Sequence, residues 1–358
     1  AGYSLPERDE MMGLSALAFV LVIAICVISH EFGHLVVARS AGVQVHEFSF
    51  GMGPLLVGWK RGGMIWSIRA VPVGGFVRLA GMSEEQGEEE VLPGMSFAEK
   101  SPWKRLAILG GGSVSNIILA ILFTAFLLWG HGIMDLESTR IGEVMAGYPA
   151  EELGLRPGDV VKAVSGVTVG DWAILSSTIR EKAALGPVEL TFERDGVTHE
   201  LQGKVPMSPE YKVPLLGIRP SMKRYPFIKA LSGSLGYIGD FSIDIVKGIW
   251  SWATGNGQVE ITGPLGIASM AGKAAREGFW TFLAFLSMIS LHLGILNLLP
   301  FPALDGGRIL LVMGEIMTGK KLPEKWESLV HLAGFILLII LLIFVSWKDL
   351  IKLLPVAR

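Results

Sequence analysis

The stretch Cys26–Ala38, "CVISHEFGHLVVA", sets two histidines and a glutamate inside an apolar run long enough to cross a bilayer. In the pattern H-E-x-x-H, formed here by His30, Glu31, Phe32, Gly33 and His34, the histidines are four residues apart. On a helix that spacing puts them on nearly one face, about 6 Å apart along the axis, so both imidazoles can reach one zinc ion. Glu31 is turned about 100° from His30, beside that ion, where a carboxylate can take a proton from the attacking water and pass it to a leaving amine. Ionisable groups in a spanning helix cost on the order of 2.5–3.5 kcal/mol each on insertion scales, so three of them without a shared task are not expected.

The rest of the chain fits that setting. Of its 358 residues, 51% are hydrophobic and only 18% charged, with 45 glycines, which suits a polytopic α-helical membrane protein carrying one soluble module. A net charge of −2 supplies no basic field for nucleic acid, and the single cysteine, Cys26, excludes an internal disulfide framework or a cysteine zinc site. Four segments are predicted to cross the membrane, which takes about 20 residues each: Gly13–Ala38, Leu106–Gly130, Phe279–Phe301 and Leu329–Trp347. Residues 1–12 are set aside as an N-terminal segment, expected to be a cloning remnant ahead of Met11 or Met12. Arg39, Lys60, Arg61, Arg69, Arg78, Lys100, Lys104 and Arg105 in the first connection, and Arg308, Lys320, Lys321 and Lys325 in the third, predict that both connections are cytoplasmic. Both termini and the long connection His131–Gly278 then lie outside.

Within the first membrane half (13–130), "VQVHEFSF", "PLLVGWK", "MIWSIRA" and "GGFVRLAG" are short, β-branched or aromatic and punctuated by glycine, which predicts a small β-sheet close to the membrane. The acidic "SEEQGEEE" reads as a solvated loop. Residues 131–222 alternate strand, turn and helix signals and predict one compact α+β module, in which "GLRPGD" is a turn and not a phosphate loop. Residues 223–278 include an amphipathic helix with Ile238, Phe241, Ile245, Ile249 and Trp252 on one side, lying on the outer membrane face or packed on the bundle.

A hydrolytic zinc site usually takes three protein ligands and leaves one position open. The second membrane half (279–358) offers two candidates for the third. Asp305 follows an apolar run, with Gly306 and Gly307 expected to let the backbone bend and turn the carboxylate inward, although the same residue could be an interfacial helix cap. His292, in the same segment, is the rival, but Asp305 is preferred because His292 lies nearly three turns nearer the outer face, whereas His30 and His34 lie towards the cytoplasmic end of the first span. Pro300 and Pro302 remove two backbone donors and are expected to break the helix before Asp305. Asn116 and Asn297 lie within spans, either as interhelical glue or as groups that bind substrate by hydrogen-bonding its backbone or the oxyanion near the metal.

"HEFGH", "FSFGMGPLL", "VPVGGFVRLAGM", "GGGSVSN", "GYPAEELGLRPGDVVKAVSG", "GPLGIA" and "NLLPFPALDGGRIL" together resemble, in order and across nearly the whole chain, the site-2 protease family of intramembrane zinc metalloproteases, most closely its bacterial RseP/RasP branch. The resemblance implies that His30, His34 and Asp305 bind zinc (Zn2+), that Glu31 is the catalytic base, and that Asn116 and Asn297 hold or polarise substrate. It implies that the sheet around Val43–Arg78 is membrane-reentrant and takes up an unwound substrate as an added strand, and that the outer module is a single extracytoplasmic PDZ-like domain with a groove along Ile141–Val144. It further implies a location in the bacterial cytoplasmic (inner) membrane, and substrates that are single-pass transmembrane proteins such as an anti-sigma factor or a remnant signal peptide. The chain departs from the family in carrying one such module where the best-known enterobacterial member has two, and Ser113 where proline is common. Two other classes compete: a scaffold whose metal only staples helices, against which Glu31 argues, and a metal transporter, which would need more intramembrane ligands along a path.

Overall fold

The computed structural model describes residues 5–82, 91–208, 212–255, 262–321 and 323–353, so the acidic stretch of the first connection lies outside the described residues. The chain divides into two compact units, one built from residues 1–125 and 231–358 and the other from Phe126–Ala230.

In the first unit, helix α1 (Leu5–Ser40) runs back through the segment set aside at the N-terminus and is followed by strands β1 (Val45–Arg61) and β2 (Met64–Leu79) and by helix α2 (Pro102–Gly130). β1 and β2 are each bent, so that four short strands lie side by side. Glu47–Phe50 pairs on one side with Arg78–Gly75 and on the other with Ile65–Ile68, and Val57–Arg61 pairs with Ile68–Met64 across a turn at Gly62 and Gly63. These are the four segments the alternation of the sequence marks. At the bend a buried carboxylate, Glu47, accepts hydrogen bonds from Ser67 Oγ at 2.5 Å and Arg69 Nη2 at 2.8 Å and lies 3.3 Å from Arg78 Nη2. Beyond it the tip is exposed and apolar at Met52, Leu55, Leu56, Val57 and Trp59.

The second unit opens with β3 (Ile133–Met134) and β4 (Ile141–Val144), then α3 (Pro149–Glu152), β5 (Val160–Val164), β6 (Val167–Thr168), α4 (Trp172–Ala183), β7 (Val188–Arg194), β8 (Val197–Gly203), β9 (Ile218–Pro220) and β10 (Met222–Lys223). The four-stranded sheet is ordered β6-β5-β7-β8, with separate pairs β4-β9 and β3-β10. Alternate residues of β7 point inward, and β5, whose register shifts between Val161 and Ala163, buries Val161 and Val164, so that these two and Val188, Leu190 and Phe192 form the core with Leu175 of α4. Asp171 caps α4 by accepting from the Ile174 amide at 2.7 Å. Asp159 is buried, yet the Arg194 guanidinium, bonded twice at 2.8 Å, and the Arg156 amide outweigh that desolvation and hold its carboxyl below the usual value.

The chain continues through α5 (Phe227–Ala253), α6 (Pro264–Glu277), α7 (Phe279–Asn297), α8 (Asp305–Thr318) and α9 (Glu324–Leu353). Among the described residues four helices, α1, α2, α7 and α9, are long and apolar enough to cross a membrane. The third of these ends at Asn297, four residues before the boundary Phe301 expected from apolarity, because Pro300 and Pro302 cannot continue its hydrogen-bond ladder. α5 packs on the bundle: Ile238, Phe241 and Ile245 join Ala120 of α2 and Leu291 and Ile295 of α7.

Two features fix α2 relative to its neighbours. A Cβ on Gly33 would strike the Gly111 carbonyl, and one on Gly111 would lie 2.9 Å from Gly33 O, so α1 and α2 cross at backbone contact. On its other side α2 is bonded to α7, with Ser290 Oγ donating to Asn116 O and Ser287 Oγ to Ala120 O.

Candidate metal centre

α1 presents His30 and His34 to α2 and α8 on one face. Their Nε2 atoms are 3.2 Å apart, and Asp305 Oδ2 lies 3.0 Å from His30 Nε2 and 3.2 Å from His34 Nε2. The two rings stand edge to face, 85° apart. His34 Nδ1 is 2.8 Å from the Ile108 carbonyl of α2. A carbonyl can only accept, so that nitrogen carries the proton and Nε2 keeps its lone pair.

Three electron-pair donors therefore converge on one point. Tetrahedral coordination with bonds of about 2.0–2.1 Å separates neighbouring ligand atoms by about 3.3 Å, within a few tenths of an ångström of all three distances. Two imidazoles and one carboxylate are a hydrolytic zinc set, and the side of the cluster facing α2 is kept clear by Gly112. A Cβ there would come 2.5 Å from His34 Nε2 and 2.7 Å from His30 Nε2. The residues present fit the ion.

Asp305 is the first residue of α8, but Leu304 is its N-cap and no side chain caps it. The carboxylate is turned to the histidines and not to the helix end. Gly306 and Gly307 have no positive φ, so they do not bend the chain as expected; they allow close approach. A Cβ on Gly307 would lie 2.5 Å from Phe301 O, and one on Gly306 would lie 2.5 Å from the carbonyl group of Leu298, so the segment 298–304 folds flat against the start of α8.

Glu31 leaves α1 beside the histidines and meets the sheet. The ideal Cβ position on Gly75 of β2 is 3.3 Å from Glu31 Cγ, and the Val77 amide lies within hydrogen-bonding reach of the carboxylate. Glu31 thus sits between the cluster of His30, His34 and Asp305 and the outer edge of Gly75–Leu79, along which no strand is paired among the described residues.

The remaining candidates are placed differently. Asn116 is buried on α2, with both side-chain atoms lacking a partner, as does the Ser113 hydroxyl one turn before it. Asn297 is the half-buried last residue of α7. His292 is not in the cluster: its Nδ1 faces the Met288 carbonyl and its ring packs against Phe241. β4, along which a groove is expected, is paired with β9 and bonded at Ile141 to Gly158 and Asp159. Sequence reasoning passed over Gly112, although three consecutive glycines inside an apolar span were a signal, and His331, discussed below.

The sequence profile of Peptidase family M50 matches residues 18–341. A protein of Clostridium acetobutylicum named "Putative zinc metalloprotease" is 32% identical over 93% of this chain and 96% of its own length. Proteins named "Zinc metalloprotease RasP" from Oceanobacillus iheyensis and Shouchella clausii are 27% and 28% identical, over 95% and 94% of this chain and 99% of their own lengths in both cases. A solved PDZ domain of an SdrC-like protein from Listeria monocytogenes is similar to 23% of this chain and 85% of its own, at 16% identity and a TM-score of 0.20.

Proposed function

We propose, for a chain that belongs to peptidase family M50 and is a multi-pass zinc metalloprotease of the site-2 protease type, that it hydrolyses peptide bonds within the transmembrane segment of single-pass membrane proteins. The observation that carries the reading is the convergence of His30, His34 and Asp305, drawn from two separate helices, with Glu31 next to them. A zinc ion held there supplies Lewis acidity towards a peptide carbonyl and makes a water molecule more acidic. Glu31 removes the proton from the attacking water and delivers it to the leaving amine. Asn116, with two unpaired polar atoms in a buried place, supports a role in hydrogen-bonding the substrate backbone or the oxyanion, and Asn297 is assigned the same work.

A substrate helix hides its scissile carbonyls in internal hydrogen bonds, so it must unwind first. The outer edge of Gly75–Leu79 beside Glu31 offers replacement bonds as an added strand, which fixes the peptide next to the base. The exposed apolar tip of the sheet suits entry into lipid from the cytoplasmic side. In this reading the chain resides in the bacterial cytoplasmic membrane, and residues 131–222 form an extracytoplasmic PDZ-like domain that filters or docks a shortened substrate such as an anti-sigma factor or a remnant signal peptide.

Purified wild type and Glu31→Gln, each with its zinc content measured, are to be incubated with a tagged single-pass substrate. Wild type cuts within the apolar segment; the variant keeps its zinc and loses cleavage by at least about 100-fold. Cleavage that persists in the zinc-loaded variant refutes the reading.

A further inference from the structure

Helix α9 is among the most apolar elements of the chain, and its span carries one histidine, His331. The placement argument that singles out His30 and His34 applies to it: a polar side chain in such a helix needs a task. His331 Nδ1 is 3.1 Å from the backbone nitrogen of Ala303, two residues before Asp305. An amide can only donate, so Nδ1 accepts, and the neutral ring carries its proton on Nε2.

The segment 298–304 accounts for its other amides locally. Leu298 bonds to Ile295, Leu299 to Leu296, Phe301 to Leu299 and Leu304 to Phe301, while Pro300 and Pro302 have no N–H to give. Ala303 alone in this segment donates to another helix. It is also the residue with a positive φ, +76°, a conformation that a side chain with a Cβ rarely adopts unless its surroundings impose it. Gly334, one turn further along α9 on the same face, meets Pro302 so closely that its Cβ would lie 2.6 Å from the Pro302 carbonyl. The pair His331 and Gly334 therefore grips Pro302 and Ala303 from one side.

We infer that His331 is a positioning residue for the metal ligand: by holding the left-handed conformation of Ala303 it fixes where α8 begins and hence where the Asp305 carboxylate points. The inference rests on the metalloprotease reading, because Asp305 must be a ligand for its position to matter. Substituting His331→Leu removes the acceptor, and His331→Asn restores one, since Asn Oδ1 stands where Nδ1 stood.

The full chain in detergent is to be tested for zinc affinity by competition with a chromophoric chelator, and for the visible spectrum of the cobalt(II)-loaded protein. Loss of an outer partner of a ligand commonly weakens metal binding about 10–100-fold, and His331→Leu is expected to fall in that range with an altered cobalt spectrum, while His331→Asn stays near wild type. Adding Ala303→Gly to His331→Leu should recover part of the affinity, because glycine adopts the positive φ unaided. Should His331→Leu not accumulate as folded protein, His331→Asn against His331→Gln decides, Gln carrying its acceptor one methylene too far. Equal affinity and spectrum in wild type and His331→Leu, or equal loss in the leucine and asparagine variants, overturns the inference and leaves the protease reading standing. Wild type that takes up no stoichiometric metal overturns both.

Discussion

Replacing Gly112 by alanine adds one methyl group at the place where the structure has least room for it. The new Cβ would lie 2.5 Å from His34 Nε2 and 2.7 Å from His30 Nε2 and Cε1, about 0.9 Å inside the 3.4 Å at which ordinary contact begins. Both histidines belong to a helix that crosses α2 at backbone contact through Gly33 and Gly111, so α1 has little freedom to retreat without breaking that crossing. The rings must rotate, and three donor atoms that now meet within 3.2 Å of one another separate. A displacement of about 1 Å at a reacting centre commonly costs about 100-fold in rate, and overpacking costs about 1–3 kcal/mol in stability. Gly110→Ala is the matched control, on the same helix and with the same change in propensity, because nothing lies within 4 Å of its Cβ position. The assay is zinc per protein after gel filtration, together with the rate of cleavage of a tagged transmembrane substrate. Gly112→Ala should lose zinc and at least about 100-fold in rate, and Gly110→Ala should match wild type. Gly112→Ala with full zinc and a wild-type rate would refute the placement of α2 against His30 and His34.

Asp305→Ala should abolish stoichiometric zinc, read by elemental analysis, because two imidazoles alone leave a tetrahedral ion half-ligated. Glu47→Ala leaves the guanidinium groups of Arg69 and Arg78 facing a hole in the sheet, and a cost of about 3 kcal/mol should appear as a lower Tm and weaker substrate binding; an unchanged Tm would show that water replaces the carboxylate without loss. The Asp159 carboxyl lies below its ordinary value, so the stability it lends residues 131–222 is present above the unfolded pKa of about 3.9 and is lost as pH falls below it towards the folded value. Hydrogen exchange of Val160–Val164, corrected for the intrinsic rate, should show that protection lost on acidification in wild type, and Asp159→Asn should have a smaller pH response.

Much of the architecture was legible because the bilayer makes polar placement expensive. Four spans followed from length and apolarity, and the His30–Glu31–His34 cluster stood out against an apolar background. The sheet was legible as four short strands, since glycine punctuates each of them, but the Glu47 cluster was not, because its partners Ser67, Arg69 and Arg78 are 20 to 31 residues away in sequence. Asp305 could be chosen over His292 only by depth in the membrane, and the structure places it against the histidines while His292 turns to Phe241. What the sequence did not reveal was contact between backbones. Gly33 and Gly111 carry no side chain whose chemistry could announce a role, Gly306 and Gly307 announced a bend and not a close approach, and an absence of volume gains meaning only when the opposing surface is known.

The cluster joins one local pair to one distant residue. The two histidines are preset by one helix, since their i, i+4 spacing is local, whereas Asp305 arrives from a segment more than 270 residues later and must be aimed by its surroundings. Each element that aims it uses close approach in place of side-chain bulk: α2 through Gly111 and Gly112, the start of α8 through Gly306 and Gly307, and α9 through Gly334. Such contacts have little slack, because a densely packed interior has low compressibility and passes the strain of an added methyl to its neighbours. Small-to-larger substitutions at these five glycines should therefore reduce metal affinity together, even at positions that never approach the ion. Gly236, Gly239 and Gly314, which also lie on helices but have nothing within 4 Å of their Cβ positions, should tolerate alanine. A scan in which both groups lose zinc equally would mean that the helices, and not these contacts, set the aim of Asp305.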